Sequence, residues 1–294
     1  MKKSSTIKHV SFLIALLFTF VFSTALIVDK SGNPGSKDPV KLAYSFSDGK
    51  TISFNSVMTI TQAMDVNGQT MNVLINQNFA FKAKMVGKVN ENFKLEIKMD
   101  SLIAKVETPQ GSTGGRISEV EGKTFNMILS PLGKEIDISE AAKIEYTIEG
   151  TQGGNLSQFF ANVFPDLPEK PVNSGDTWTK NDSVISNSSS TKTTQIIQSN
   201  NKFEGMEKVN GLDCAKITST ITGTMETTTQ NQGMDILYKG PMQGTVTLYF
   251  AVKEGYSVSQ EVSTKMTGTV DISGAQNMTF PVVMETNRKI QARK

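Results

Sequence analysis

The chain has 294 residues, with 30 basic and 28 acidic side chains, one histidine and one cysteine. The histidine, His9, falls in an N-terminal export signal, so the mature chain has no imidazole for a Ser-His-Asp or Cys-His site, a histidine-ligated metal centre or an imidazole pH switch. Lys2, Lys3 and Lys8 lie in the same signal; their removal leaves 27 basic against 28 acidic residues, a net charge of −1 that gives nucleic acid no basic surface to bind.

Those three lysines lead an uncharged apolar run over residues 10–22, and Ser23-Thr24-Ala25 supplies small residues for a peptidase. This predicts a signal peptide over residues 1–25, cleaved after Ala25. The alternative is a retained anchor, because residues 10–28 carry no charge and are just long enough to span a bilayer. With no cysteine at the cleavage point, a lipoprotein signal is excluded. The expected product is extracytoplasmic, periplasmic or secreted, soluble after cleavage and without a stable transmembrane domain. Residues 26–38, rich in Lys, Ser, Gly, Asn and Pro, read as a flexible leader.

Residues 39–150 read as an N-terminal antiparallel β half, since the dominant period is two. Ile52, Phe54, Met58 and Ile60 share one face, and Met71, Val73, Ile75, Phe79, Phe81 and Met85 alternate with Asn and Lys. Asn67-Gly68 between them suits a type I′ hairpin turn. A third long strand follows in Phe93, Leu95, Ile97 and Met99. Gly111-Ser112-Thr113-Gly114-Gly115 lacks a Gly-Lys-Ser/Thr ending and reads as a flexible loop, and Ser130-Pro131-Leu132-Gly133-Lys134 reads as a turn.

Residues 151–172 form a helix and connector. The stripe Leu156, Phe159, Phe160, Val163 and Phe164 predicts a helix over 156–164, capped by Asn155 with Gln158 as reciprocal partner and stopped by Pro165. It is either a plug over the concave face of a curved sheet or a core helix joining two β halves. Residues 173–294 read as a C-terminal antiparallel β half. Asn210-Gly211 repeats the turn signal, and Val246, Leu248, Phe250 and Val252, then Val258, Val262, Met266, Val270 and Ile272, mark apolar faces. Cys214, without a partner, reads as a small buried apolar side chain. The basic run over 288–294 reads as a solvated tail.

The fold class is therefore mainly β: long antiparallel strands in one large curved sheet or two linked open-barrel halves, with one short central amphipathic helix. Pro171-Val172, a polar spacer and Gly175-Asp176-Thr177-Trp178 opening a strand, with a late Tyr249-Phe250 and Gly255 hairpin, resemble an uncharacterised family of secreted bacterial β proteins. More distantly the architecture is similar to periplasmic lipoprotein carriers, and that resemblance implies an antiparallel sheet and covering helices around an apolar cavity. Physically, Gly175 and Asp176 suit a tight turn and Trp178 a core anchor.

Catalytic candidates are few. Glu135 and Asp137, like Glu119 and Glu121, are two apart and would share a strand face, so a carboxylate-dependent glycan hydrolase is conceivable; charged alternation is also the ordinary solvent face of a strand. An outer-membrane barrel would need aromatic girdles, and only 7% of residues are aromatic. The expectation is a non-enzymatic cell-envelope protein with no cofactor and no catalytic or metal-ligating residues. Methionine points to a binding role: thirteen remain after Met1, several on the apolar faces, and flexible thioethers can line an adaptable pocket. The candidate apolar pocket comprises Phe159, Phe160, Phe164, Met58, Met71 and Met85, for an apolar small molecule or lipid. The alternative is a structural or assembly protein whose strand edges meet an envelope protein partner.

Overall fold

The computed structural model describes residues 38–66, 68–148, 153–187, 191–231, 234–274 and 277–293. The expected signal peptide, nearly all of the expected leader, and Asn67 lie outside them. Strands β1 (Thr51–Val66), β2 (Gln69–Val89), β3 (Asn92–Thr108), β4 (Gly111–Arg116), β5 (Thr124–Leu129) and β6 (Glu135–Asp137) come first. A connector carries the two-residue strands β7 (Glu145–Tyr146) and β8 (Gly154–Asn155) and helix α1 (Ser157–Phe160). Strands β9 (Thr177–Asn187), β10 (Thr191–Val209), β11 (Leu212–Asn231), β12 (Met234–Ala251), β13 (Tyr256–Ser273) and β14 (Met278–Arg293) complete the chain.

Twelve strands form one antiparallel sheet in the order β6-β5-β3-β2-β1-β14-β13-β12-β11-β10-β9, with β4 paired to the far half of β3. The chain starts in the middle of the sheet, meanders outward to β6, crosses to the opposite edge at β9 and meanders back until β14 lies beside β1. Ser53 to Met64 then face Arg293 to Val282 in unbroken register. The two β halves are thus one sheet, and it does not close. It is also curved. Tyr238 on β12 interacts with Gln62 on β1, three inter-strand steps away; on a flat sheet those steps would separate the backbones by about 14 Å.

Period-two patterning explains the strands directly. Every even position of β1 is buried, as are the odd positions of β2 from Met71 to Met85. Asn210 and Gly211 take positive φ (53° and 83°) between Val209 and Leu212, as a two-residue I′ turn demands. Among the described residues no helix is long and apolar enough to cross a membrane.

Five readings are corrected. The helix is four residues long: Ala161 turns extended (ψ 117°), Asn162 takes φ 57°, and Val163 and Phe164 reach the core from an irregular strap in which the Phe164 N–H goes to Glu135 on β6 instead of to a next helical turn. Asn155 does accept the Ser157 N–H (3.1 Å), but Gln158 accepts from the Tyr146 hydroxyl instead of closing a capping box. The glycine-rich segment at 111–115 is strand β4, not a loop; a Cβ on Gly114 would sit 2.3 Å from the Ala104 carbonyl oxygen, so glycine is what lets β4 approach β3. Glu119 lies in a 3-10 turn (Ser118–Val120), so it does not share a strand face with Glu121. Finally, residues 288–293 are not a solvated tail but the end of β14, at the centre of the sheet.

Candidate ligand site on the concave face

The strap between β6 and β9 lies over one end of the concave face. Phe160 packs edge-on against Phe81 and Phe125 (both 4.9 Å between centroids), Phe159 meets Phe79 at 5.2 Å, and Phe164 meets Phe54 at 5.8 Å. Polar contacts fix the strap at intervals: the Tyr44 hydroxyl donates to Pro165 O, Leu167 N to Leu132 O, Val172 pairs with Val40, and Lys180 bonds both Asp166 and Asp182. The Gly-Asp-x-Trp segment closes it. Gly175 N donates to Phe203 O, Asn173 N to the Asp176 carboxylate, and Trp178 packs on the aromatic cluster, so this motif is a structural turn opening β9.

Along the strands the concave face changes chemistry in three bands. The aromatic end is the one under the strap. The opposite end is rich in methionine: Met58, Met64, Met71, Met225, Met242, Met266 and Met284 are all buried in one cluster with Val, Ile, Phe280 and Tyr238. Register aligns them, with Met64 opposite Met71 and with Met242, Met266 and Met284 side by side on β12, β13 and β14. Between the two ends runs a polar waist that includes Ser56, Gln77, Thr264, Thr286, Ser199 and Arg288, each buried. Several of its polar atoms have no hydrogen-bond partner among the described residues: Gln77 Oε1, Ser199 Oγ, Thr286 Oγ1 and, further along β10, both amide atoms of Gln195. The Gln62 amide is also outside hydrogen-bond geometry, although it lies close enough to Tyr238 to oppose the burial that raises the phenol to about 12.

Arg288 sits in this waist, opposite Met58 and Val262. Its Nε donates to Ser56 Oγ (3.3 Å), its Nη2 to Phe159 O (3.2 Å), and the guanidinium lies over the Phe79 ring. Burial lowers its pKa to about 10, with Glu135 acting in the other direction. Glu135, which accepts the Phe164 N–H, is raised to about 8 by burial and then by Asp166, so at neutral pH it is mostly uncharged.

The predicted pocket residues separate. Phe159, Phe160, Phe164 and Met85 belong to the aromatic end, Met58 and Met71 to the methionine end, and all six are buried. The waist was missed, although each of its residues stands in the inward phase of an alternating strand: Gln77 between Ile75 and Phe79, Thr286 and Arg288 in step with Met284. The carboxylate pairs are engaged elsewhere. Asp137 accepts the Ser139 N–H, Glu119 accepts from Thr147, and Glu121 pairs with Arg116. Among the described residues no group of three His, Cys, Asp or Glu could hold a metal ion. Cys214 is free and buried.

Comparison of the sequence with protein-family models and with curated proteins gives no match. Among solved structures the chain is similar to DynF from the dynemicin biosynthesis pathway of Micromonospora chersina, at 8% identity over 92% of this chain and 93% of that one, with a TM-score of 0.22. A DUF1329 family protein from Desulfovibrio piger shares 9% identity over 81% and 84% of the two chains, with a TM-score of 0.16. A putative outer membrane lipoprotein-sorting protein domain from Vibrio parahaemolyticus shares 11% over 82% and 86%, with a TM-score of 0.14. Likenesses of this strength leave ligand and role to be argued from the residues.

Proposed function

We propose that the protein is an exported, non-enzymatic cell-envelope protein that holds an apolar or lipid-like ligand against the concave face of its sheet. The observation that carries this reading is the methionine end, where seven buried thioether side chains from β1, β2, β11, β12, β13 and β14 gather in one cluster. Unbranched, polarisable side chains adapt to ligands of variable shape, and each ligand methylene buried among them contributes about 0.8 kcal/mol. The carboxylates engaged in caps and ion pairs favour a binding role over hydrolysis. Native mass spectrometry of the protein, expressed with its own leader and recovered under mild conditions from the extracytoplasmic fraction, tests the reading. A discrete extra mass that organic solvent removes is the expected result; a bare monomer at the calculated mass would count against a bound apolar ligand.

A further inference from the structure

Arg288 is the only basic side chain among the described residues that is buried, at 6% exposure, and Glu135, the acidic group near enough to act on it, makes no ion pair with it and is itself mostly uncharged at neutral pH. Taking a guanidinium out of water costs several kcal/mol, which proteins ordinarily offset with a carboxylate at hydrogen-bond distance. None is within 4 Å here among the described residues. Both of its acceptors, Ser56 Oγ and Phe159 O, are neutral. A guanidinium has five N–H donors in a fixed fork, so three remain without an acceptor among the described residues. Two residues away on the same strand face, Thr286 Oγ1 also has no partner; on β2, one strand beyond Met58, neither does Gln77 Oε1. Buried polar groups are almost always satisfied, and a water could satisfy these two but could not neutralise the cation.

The position of Arg288 along the strand gives the ligand its polarity. On one side lies the aromatic end, filled by the strap's own phenylalanines. On the other the same face of β14 runs past Thr286 through Met284 and Val282 to Phe280, about 26 Å along the strand at roughly 3.3 Å per residue, of which about the last 13 Å, from Met284 on, is apolar and flanked by Met266 and Met242. Building on the apolar-ligand reading above, we infer that the ligand is a single-chain amphiphile with an anionic head group, a carboxylate or a phosphate, whose head pairs with Arg288 at the waist while its chain lies along the methionine row. The fork geometry of arginine suits either oxyanion, which it can bind through two parallel N–H···O bonds.

Isothermal titration calorimetry of the purified protein with palmitate, 1-palmitoyl-lysophosphatidate and hexadecanol, the two anions below their micelle concentrations and the alcohol below its solubility limit, tests this. At least one anion should bind tenfold or more tightly than hexadecanol, and which of the two does so distinguishes a carboxylate from a phosphate head. Arg288→Gln should bring that anion to within twofold of hexadecanol, and Arg288→Lys should retain part of the preference. If hexadecanol binds the wild-type protein within twofold of both anions, the head-group inference is wrong while the apolar-ligand reading stands; if none of the three binds, both fall together. The wild-type comparison decides the matter even where a variant does not fold. A melt of each variant shows whether its binding loss is a head-group effect.

Discussion

At the residue scale, Glu135 illustrates how packing changes what a side chain does. In the sequence it is one of two carboxylates spaced for a shared strand face; in the structure its partner Asp137 is held below the ordinary carboxylate range by Ser139, while Glu135 is raised to about 8. Between pH 4.5 and 8 the folded protein therefore keeps a proton that the unfolded chain has released. Stability contributed by this group is fully present below about pH 4.5 and falls as pH rises through 8, by up to about 1.4 kcal/mol per pH unit. Urea denaturation across that range should show the decline, and Glu135→Gln should flatten it. An unchanged slope in the variant would assign the dependence to other groups. The alternation that exposes Glu135 as a candidate also contains the signal for Arg288, which shares the inward phase of Met284 but stands at the head of the basic run 288–294. Charge composition suggests a tail, whereas strand phase places the residue inside.

At the element scale, the helix shows where a periodic signal stops short. Its aromatic stripe was legible, and Phe159, Phe160 and Phe164 are all buried, but helical spacing cannot say how far the helix continues once the sheet offers bonds for its backbone. The Phe164 N–H goes to Glu135, and the Pro165 carbonyl accepts from Tyr44. Phe160 is fully buried against Phe79, Phe81 and Phe125. Phe160→Ala should thus destabilise the protein by about 3–5 kcal/mol, the range for an aromatic removed from a core. Chemical denaturation measures this, and a loss under about 1 kcal/mol would mean that the strap is a lid resting on the face and not part of the core. The glycine-rich β4 makes the complementary point: a segment without apolar alternation carries no strand signal, yet close approach to Ala104 makes glycine the residue that fits.

At the scale of the whole molecule, stability depends on joining the two ends of the chain. β14 pairs with β13 on one side and β1 on the other, so among the described strands it is the one whose pairing joins the outward and inward meanders into a single sheet. Removing residues 278–294 should leave two sheet edges with nothing between them and abolish the cooperative thermal transition. Circular dichroism with size-exclusion chromatography would show it, and a truncated protein that still melts cooperatively as a monomer would mean that each half folds alone. By itself the sequence determined the strand-rich class, the faces that β1, β2, β3, β12 and β13 bury and the tight turn at Asn210-Gly211, because these follow from side-chain alternation and local backbone geometry. Only the tertiary structure decided that the halves form one sheet, that the strap covers one end of it, and that the waist gathers Gln77, Thr286 and Arg288. Those outcomes depend on pairing residues at opposite ends of the chain and on curvature accumulated over many strands, neither of which leaves a mark within a local stretch of sequence.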